Sequence, residues 1–166
     1  MAIRSGWLTE LVDDVERSSA EKTDHFMRLG GMASPPTTHL LSKHARQAYL
    51  GCVSIRPFYR GTDAAAAVTT LGLLPSVATA THLVVVWEYA ALNVALQSAG
   101  DPFPSGLVVL DASLDGHTVR WNPFLMHVGP GRGDGLTTVL PEWGTPVHYP
   151  DGWLPDPRRG RWPSNG

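Results

Sequence analysis

A single cysteine, Cys52, occurs in the 166 residues, so the chain cannot close a disulfide on itself, and the disulfide-stapled class of small domains is excluded. Charge is scarce too: Asp, Glu, Lys and Arg make up 17%, against about 25% in ordinary soluble domains. There is no positive excess, because 13 Lys and Arg face 15 Asp and Glu for a formal charge of −2. A chain so balanced lacks the cationic surface with which nucleic-acid binders displace counterions, and general DNA or RNA affinity is disfavoured. Long apolar runs are missing as well. Stretches such as Leu83 to Trp87 and Leu107 to Leu110 fall far short of the roughly 20 residues that cross a bilayer as a helix, so no membrane partner is expected. Met1-Ala2-Ile3-Arg4 leads into Glu- and Asp-bearing sequence without the apolar core of a signal peptide, and a soluble, cytoplasmic protein is the expectation.

What is present is enough apolar residue, 43% of the chain, to bury one core at a length typical of one domain. Trp7, Leu8, Leu11, Val12 and Val15 recur at helical spacing, with Glu10, Asp13, Asp14 and Arg17 between them, which predicts an amphipathic helix capped by Ser5. Ser18 followed by Glu21 has capping-box spacing and Gly30-Gly31 can end a helix, so a second helix is predicted over 19–29. Ser34-Pro35-Pro36 then breaks the chain and reads as a connector.

From Gln47 to Ile55 the run is rich in Tyr, Leu, Val and Ile and predicts a buried strand, in which Cys52 is an inert core thiol. Thr62 can cap a helix reaching toward Gly72, and His82 to Trp87 predicts a strand covered on both faces. Strand, helix, strand is the grammar of a crossover unit. A helix is expected from Tyr89 to Gly100, then a strand over Leu107 to Asp111. Asp115-Gly116 marks a hairpin turn before the alternating His117-Thr118-Val119-Arg120-Trp121, in which Val119 and Trp121 face the core and Thr118, Arg120 and Asn122 face the other way. A short strand is expected near Phe124 to Val128, with others at Thr137 to Leu140 and Val147 to Tyr149. Beyond Gly129, glycine and proline become so dense that long helices and central strands are blocked.

Three places could carry chemistry. Glu88 ends one predicted strand and Asp111 another, and in open sheets of parallel strands ligands gather at the carboxyl ends. With His117 across the hairpin turn, Glu88, Asp111 and His117 form a candidate acid–base cluster. The segment joining strand to helix contains Arg56, Arg60, Gly61 and Thr62, where free N–H groups and two guanidiniums could hold an anion. Finally Trp153, Arg158, Arg159 and Trp162 in the C-terminal extension combine aromatic and cationic side chains suited to a partner surface. No H-E-x-x-H, C-x-x-C, G-x-S-x-G or phosphate-loop pattern occurs, so no metal and no cofactor is expected.

The order of strand, Arg-Gly turn, helix, strand, helix and hairpin over residues 47 to 122 resembles, in layout, the second half of the acyl-CoA-dependent N-acetyltransferases. The resemblance implies a pyrophosphate-cradling turn at Arg56 to Asp63 and acyl-CoA as cofactor, with Asn93 at a position where such enzymes often carry asparagine. Aligned on Gly61, Phe58 stands where the family has Arg or Gln, and Asp63 where it has Gly or Ala.

The expected fold is therefore α/β or α+β: two N-terminal helices, helices packed on a mixed sheet of about four to six strands, and a Gly/Pro-rich C-terminal extension. One domain is expected over residues 1–149, with its sheet core at 47–128 and an extended or disordered tail at 150–166. The expected function is a non-enzymatic protein-binding or accessory domain that uses its Trp-bearing extension or a sheet edge, and the rival is an acyltransferase-like enzyme of small molecules.

Overall fold

The apolar stripe that starts at Leu8 does not stop at Ser18. Leu8, Val12, Val15, Thr23 and Met27 are all buried, at the spacing that keeps one face of a helix against a core. In the computed structural model, which describes residues 6–30, 35–54, 66, 79–88, 105–129 and 138–149, they lie on one continuous helix, α1 (Gly6–Gly30). The expectation of two N-terminal helices is thereby corrected. Ser18 opens no second helix; its hydroxyl donates to the Val15 carbonyl at 3.2 Å, a bond back into the preceding turn that a serine inside a helix can make.

Seven strands follow: β1 (Thr37–Leu41), β2 (Tyr49–Ser54), β3 (His82–Glu88), β4 (Ser105–Ser113), β5 (Gly116–Val128), β6 (Val139–Trp143) and β7 (Val147–Tyr149). They form one sheet in the order β2-β1-β3-β4-β5-β6, with β7 also on β5. Every neighbouring pair is antiparallel, so the mixed sheet with several helices packed on it is corrected to an antiparallel sheet with one described helix. The physical cause is β1. This five-residue strand lies in what read as connector, and it pairs with β2 on one side and β3 on the other. β2 and β3 therefore run in the same direction without being neighbours, and the expected crossover between adjacent strands does not form. The helices expected from Thr62, apart from Ala66, and from Tyr89 lie outside the described residues.

Both faces of the central strands are covered. Against α1, Leu8, Val12 and Val15 pack on Leu41, Val84, Val86, Leu107 and Val109. On the opposite face Val85, Trp87, Val108, Val119 and Trp121 cluster. This double burial explains why β3 is an unbroken apolar run in place of an alternating one. At the β4–β5 turn, Ser113 pairs with Gly116, whose φ of 140° suits glycine far better than a residue with a side chain.

β5 continues through Pro123 because of where that residue's missing N–H points. The Pro123 carbonyl accepts from Gly144 N–H at 2.8 Å, and a strand residue aims N–H and C=O toward the same neighbour. The absent donor thus faces residues 144–146, where β6 gives way to β7 and no ladder bond is required. The helix is tied to this side of the sheet as well, where Trp143 Nε1 donates to Asp24 at 3.2 Å. No helix among the described residues is long and apolar enough to cross a membrane.

Candidate functional site

An irregularity in the sheet edge builds the most chemically loaded corner of the molecule. In the β1–β2 pairing His39 stands opposite Cys52 and Leu40 opposite Gly51, but Leu41 stands opposite Tyr49, which leaves Leu50 as an extra residue. Such a bulge re-aims the side chains beyond it, and Gly51, with φ 140°, supplies the backbone freedom it needs. Tyr49 is thereby moved onto the same face as His39 and Cys52, the face that α1 covers. Its hydroxyl lies 3.0 Å from His39 Nδ1, and Cys52 is close enough to act on its ionisation.

Beside this trio a cavity of about 140 Å³ opens between α1 and the sheet. Ser18, Lys22, Thr37, His39 and Cys52 give it a polar wall, and Val86 and Leu107 an apolar floor. Cys52 is exposed, which corrects the reading of an inert core thiol: β2 ends the strand order among the described residues, and four of its six residues are exposed.

Burial, and secondly the positive charge of Lys22, push the His39 pKa below its ordinary 6.5. Burial, and secondly the neighbouring Cys52, push Tyr49 up to about 12. At neutral pH both rings are therefore uncharged. The unfolded chain takes up a proton on this histidine before the folded one does, so His39's contribution to stability is complete above about pH 6.5 and is lost as pH falls from there toward its folded pKa. Urea unfolding of the wild type is expected to show a stability decline between neutral pH and the folded pKa, no steeper than about 1.4 kcal/mol per pH unit for this proton. The decline should be smaller in His39→Gln, and an identical slope in the two proteins would refute the assignment.

A second polar cluster joins α1 to the centre of the sheet. Arg120 Nη1 donates to Glu16 at 2.7 Å and also to Asp13, while Asn122 Nδ2 donates to Glu16 at 2.8 Å. Burial opposes the charge on Arg120, but the hydrogen bonds to Asp13 and Glu16 outweigh it and raise its pKa above the ordinary arginine value. These bonds tie α1 to β5, and the role of the network is to seat the helix.

The acid–base cluster expected from the sequence does not assemble. Because β3 and β4 are antiparallel, Glu88 pairs with Leu107 while Asp111 pairs with Val84, which sets the two carboxylates four residues, or about 13 Å, apart along the strands. His117 pairs with Ala112 and so points to the face opposite Asp111. Glu88 and Asp111 are buried on the α1 side, and His117 is exposed. Arg56, Arg60, Gly61 and Thr62 lie outside the described residues, as do Asn93, Trp153, Arg158, Arg159 and Trp162. Sequence reasoning did not bring His39 and Tyr49 together as a site. The available clue was Gly51 inside a strand pattern, which is how a bulge announces itself.

A third feature is the far end of β5. The last residue of β5 paired with β4 is Phe124, opposite Ser105, yet β5 and β6 continue together to Val128 and Val139. This two-stranded ribbon outruns the described part of the sheet, and Leu125, Met126 and Val128 are 60%, 49% and 81% exposed on it. Alternation along β5 places Leu125 on one face and Met126 and Val128 on the other. His127 and Glu142 pair across the ribbon at 2.8 Å, and Phe124 meets Trp143 edge-on at its base, 4.9 Å between ring centres. Comparison with known proteins finds no matching family model, no matching curated protein and no matching solved structure.

Proposed function

We propose that this chain is a protein-binding domain that engages its partner through the β5–β6 ribbon. The observation that carries the reading is the exposure of three large apolar side chains on both faces of a ribbon running beyond the β4 pairing. A two-stranded ribbon has little independent stability in water, and an exposed apolar patch on it gains most when a partner removes it from solvent. Fully burying a side chain such as Val128 or Leu125 contributes about 1.5 to 3 kcal/mol. The His127–Glu142 pair gives the patch a polar border of the kind found at interface rims.

The test is affinity capture with three immobilised proteins: wild type, Val128→Asp and Leu114→Asp. Leu114 is fully exposed in the β4–β5 turn, away from the ribbon, and serves as the control. A partner retained by wild type and Leu114→Asp, and bound at least about tenfold more weakly by Val128→Asp, a loss of about 1.4 kcal/mol, supports the proposal. Equal retention by all three, or specific retention by none, overturns it.

A further inference from the structure

We propose that the cavity between α1 and the β1–β2 edge binds a small monoanionic molecule with an apolar body, a compact aromatic or branched carboxylate. The argument begins with the cations of the helix. Arg17 is paired with Asp14 and Arg28 with Asp24, each with a carboxylate three or four residues earlier on the same face, the spacing at which helical side chains meet. Lys22 has no such neighbour. Positions three and four before it are Ser19 and Ser18, and positions three and four after it are His25 and Phe26. Its ammonium lies 5.8 Å from the Phe26 ring centre, and no carboxylate pairs with it among the described residues.

This uncompensated charge stands at the rim of the cavity, close enough to His39 to oppose that ring's protonation. The site therefore offers one positive charge, because the imidazole beside it is neutral. One charge matches a carboxylate better than a phosphate dianion, whose second charge would be left without a counterpart on entering a partly desolvated site. The hydroxyl of Ser18 lies on the same wall and can donate to a second carboxylate oxygen by rotating away from the Val15 carbonyl.

Below the rim the chemistry changes. Val86 and Leu107 form the floor, which solvates a hydrocarbon body and gives nothing to a polar one. The volume of about 140 Å³ is close to the ~150 Å³ of an apolar cavity that takes up benzene. A single ring or a branched chain of similar bulk fills the floor while its carboxylate reaches Lys22. The inference is independent of the ribbon, which lies at the opposite end of the strand order.

Cys52 makes the test direct, because it lines the same cavity and is the only cysteine of the chain. The reaction of the full-length protein with a chromogenic disulfide reagent reports one thiol. The probes are benzoate and, as its uncharged counterpart, benzamide, at constant ionic strength. Benzoate should slow the reaction along a saturating curve, about tenfold at ten times its Kd, since the unoccupied fraction falls as 1/(1 + [L]/Kd). Benzamide should leave the rate unchanged, and both Lys22→Met and Lys22→Gln should abolish protection by benzoate. Lys22 is exposed, and retained cooperative unfolding will show that the variants fold. The proposal is overturned if benzoate leaves the rate unchanged, if benzamide protects equally, or if protection survives in either variant.

Discussion

Arg120→Met is expected to lower stability by about 3 to 5 kcal/mol, the cost of removing one partner from a buried ion pair. The guanidinium side chain is 9% exposed and Glu16 is 15% exposed, so truncation leaves a carboxylate in a nearly dry interface with only Asn122, among the described residues, to hydrogen-bond it. Asp13, at 57% exposure, keeps its water and adds little to the loss. The measurement is urea unfolding, with the midpoint falling and the slope unchanged if the folded state stays intact. Arg120→Met combined with Glu16→Gln removes the stranded charge while keeping an oxygen for Asn122, and should recover more than half of the loss. A single-variant cost below about 1 kcal/mol would mean that the pair acts like an exposed salt bridge, and that apolar packing alone seats the helix.

This cluster also marks where sequence reading succeeds and where it stops. The alternation from His117 to Asn122 separates Val119 and Trp121 from Thr118, Arg120 and Asn122, and the structure keeps that separation. Nothing local shows that the polar set is covered as well. Arg120 and Asn122 look solvent-facing until Asp13 and Glu16, more than a hundred residues earlier, are brought over them. Burial on a sheet is decided by what packs on each face, which strand periodicity does not carry.

The same limit explains the topology. β3, β4 and the β4–β5 hairpin were legible because each is a run of β-branched or alternating residues bounded by turn residues. β1 was not, since Thr37–Leu41 is five residues long, contains a histidine and follows two prolines. Missing it replaced an antiparallel order by a crossover, and the Glu88–Asp111 rim followed from that error. Ser18 misled in a smaller way: its spacing to Glu21 imitates a capping box, but a serine can serve a continuing helix equally well. The His39–Tyr49–Cys52 corner depends on both the overlooked strand and the bulge at Leu50, so two non-local pairings had to be known before its residues could be seen to share a face.

Trp121→Ala should cost about 3 to 5 kcal/mol, as large aromatic truncations in cores do, because the indole is 2% exposed at the centre of the cluster opposite α1. The more informative change is one atom at its neighbour. A Cβ added at Gly106 would lie 2.9 Å from Trp121 Cε2 and Nε1, inside the distance that non-bonded atoms tolerate. A rigid buried ring cannot swing aside as a lysine would, so Gly106→Ala should lose about 1 to 3 kcal/mol through overpacking. In a Trp121→Leu background the obstruction is gone, and the same substitution should be neutral or gain up to about 1 kcal/mol, since alanine restricts the unfolded chain more than glycine does. The double-mutant cycle should therefore give a coupling of at least about 1 kcal/mol. Additive effects would show that Gly106 is required by the backbone of β4 and not by the ring beside it. Coupling would instead establish that a missing side chain on β4 sets the position of Trp121, one of the two tryptophans of this cluster.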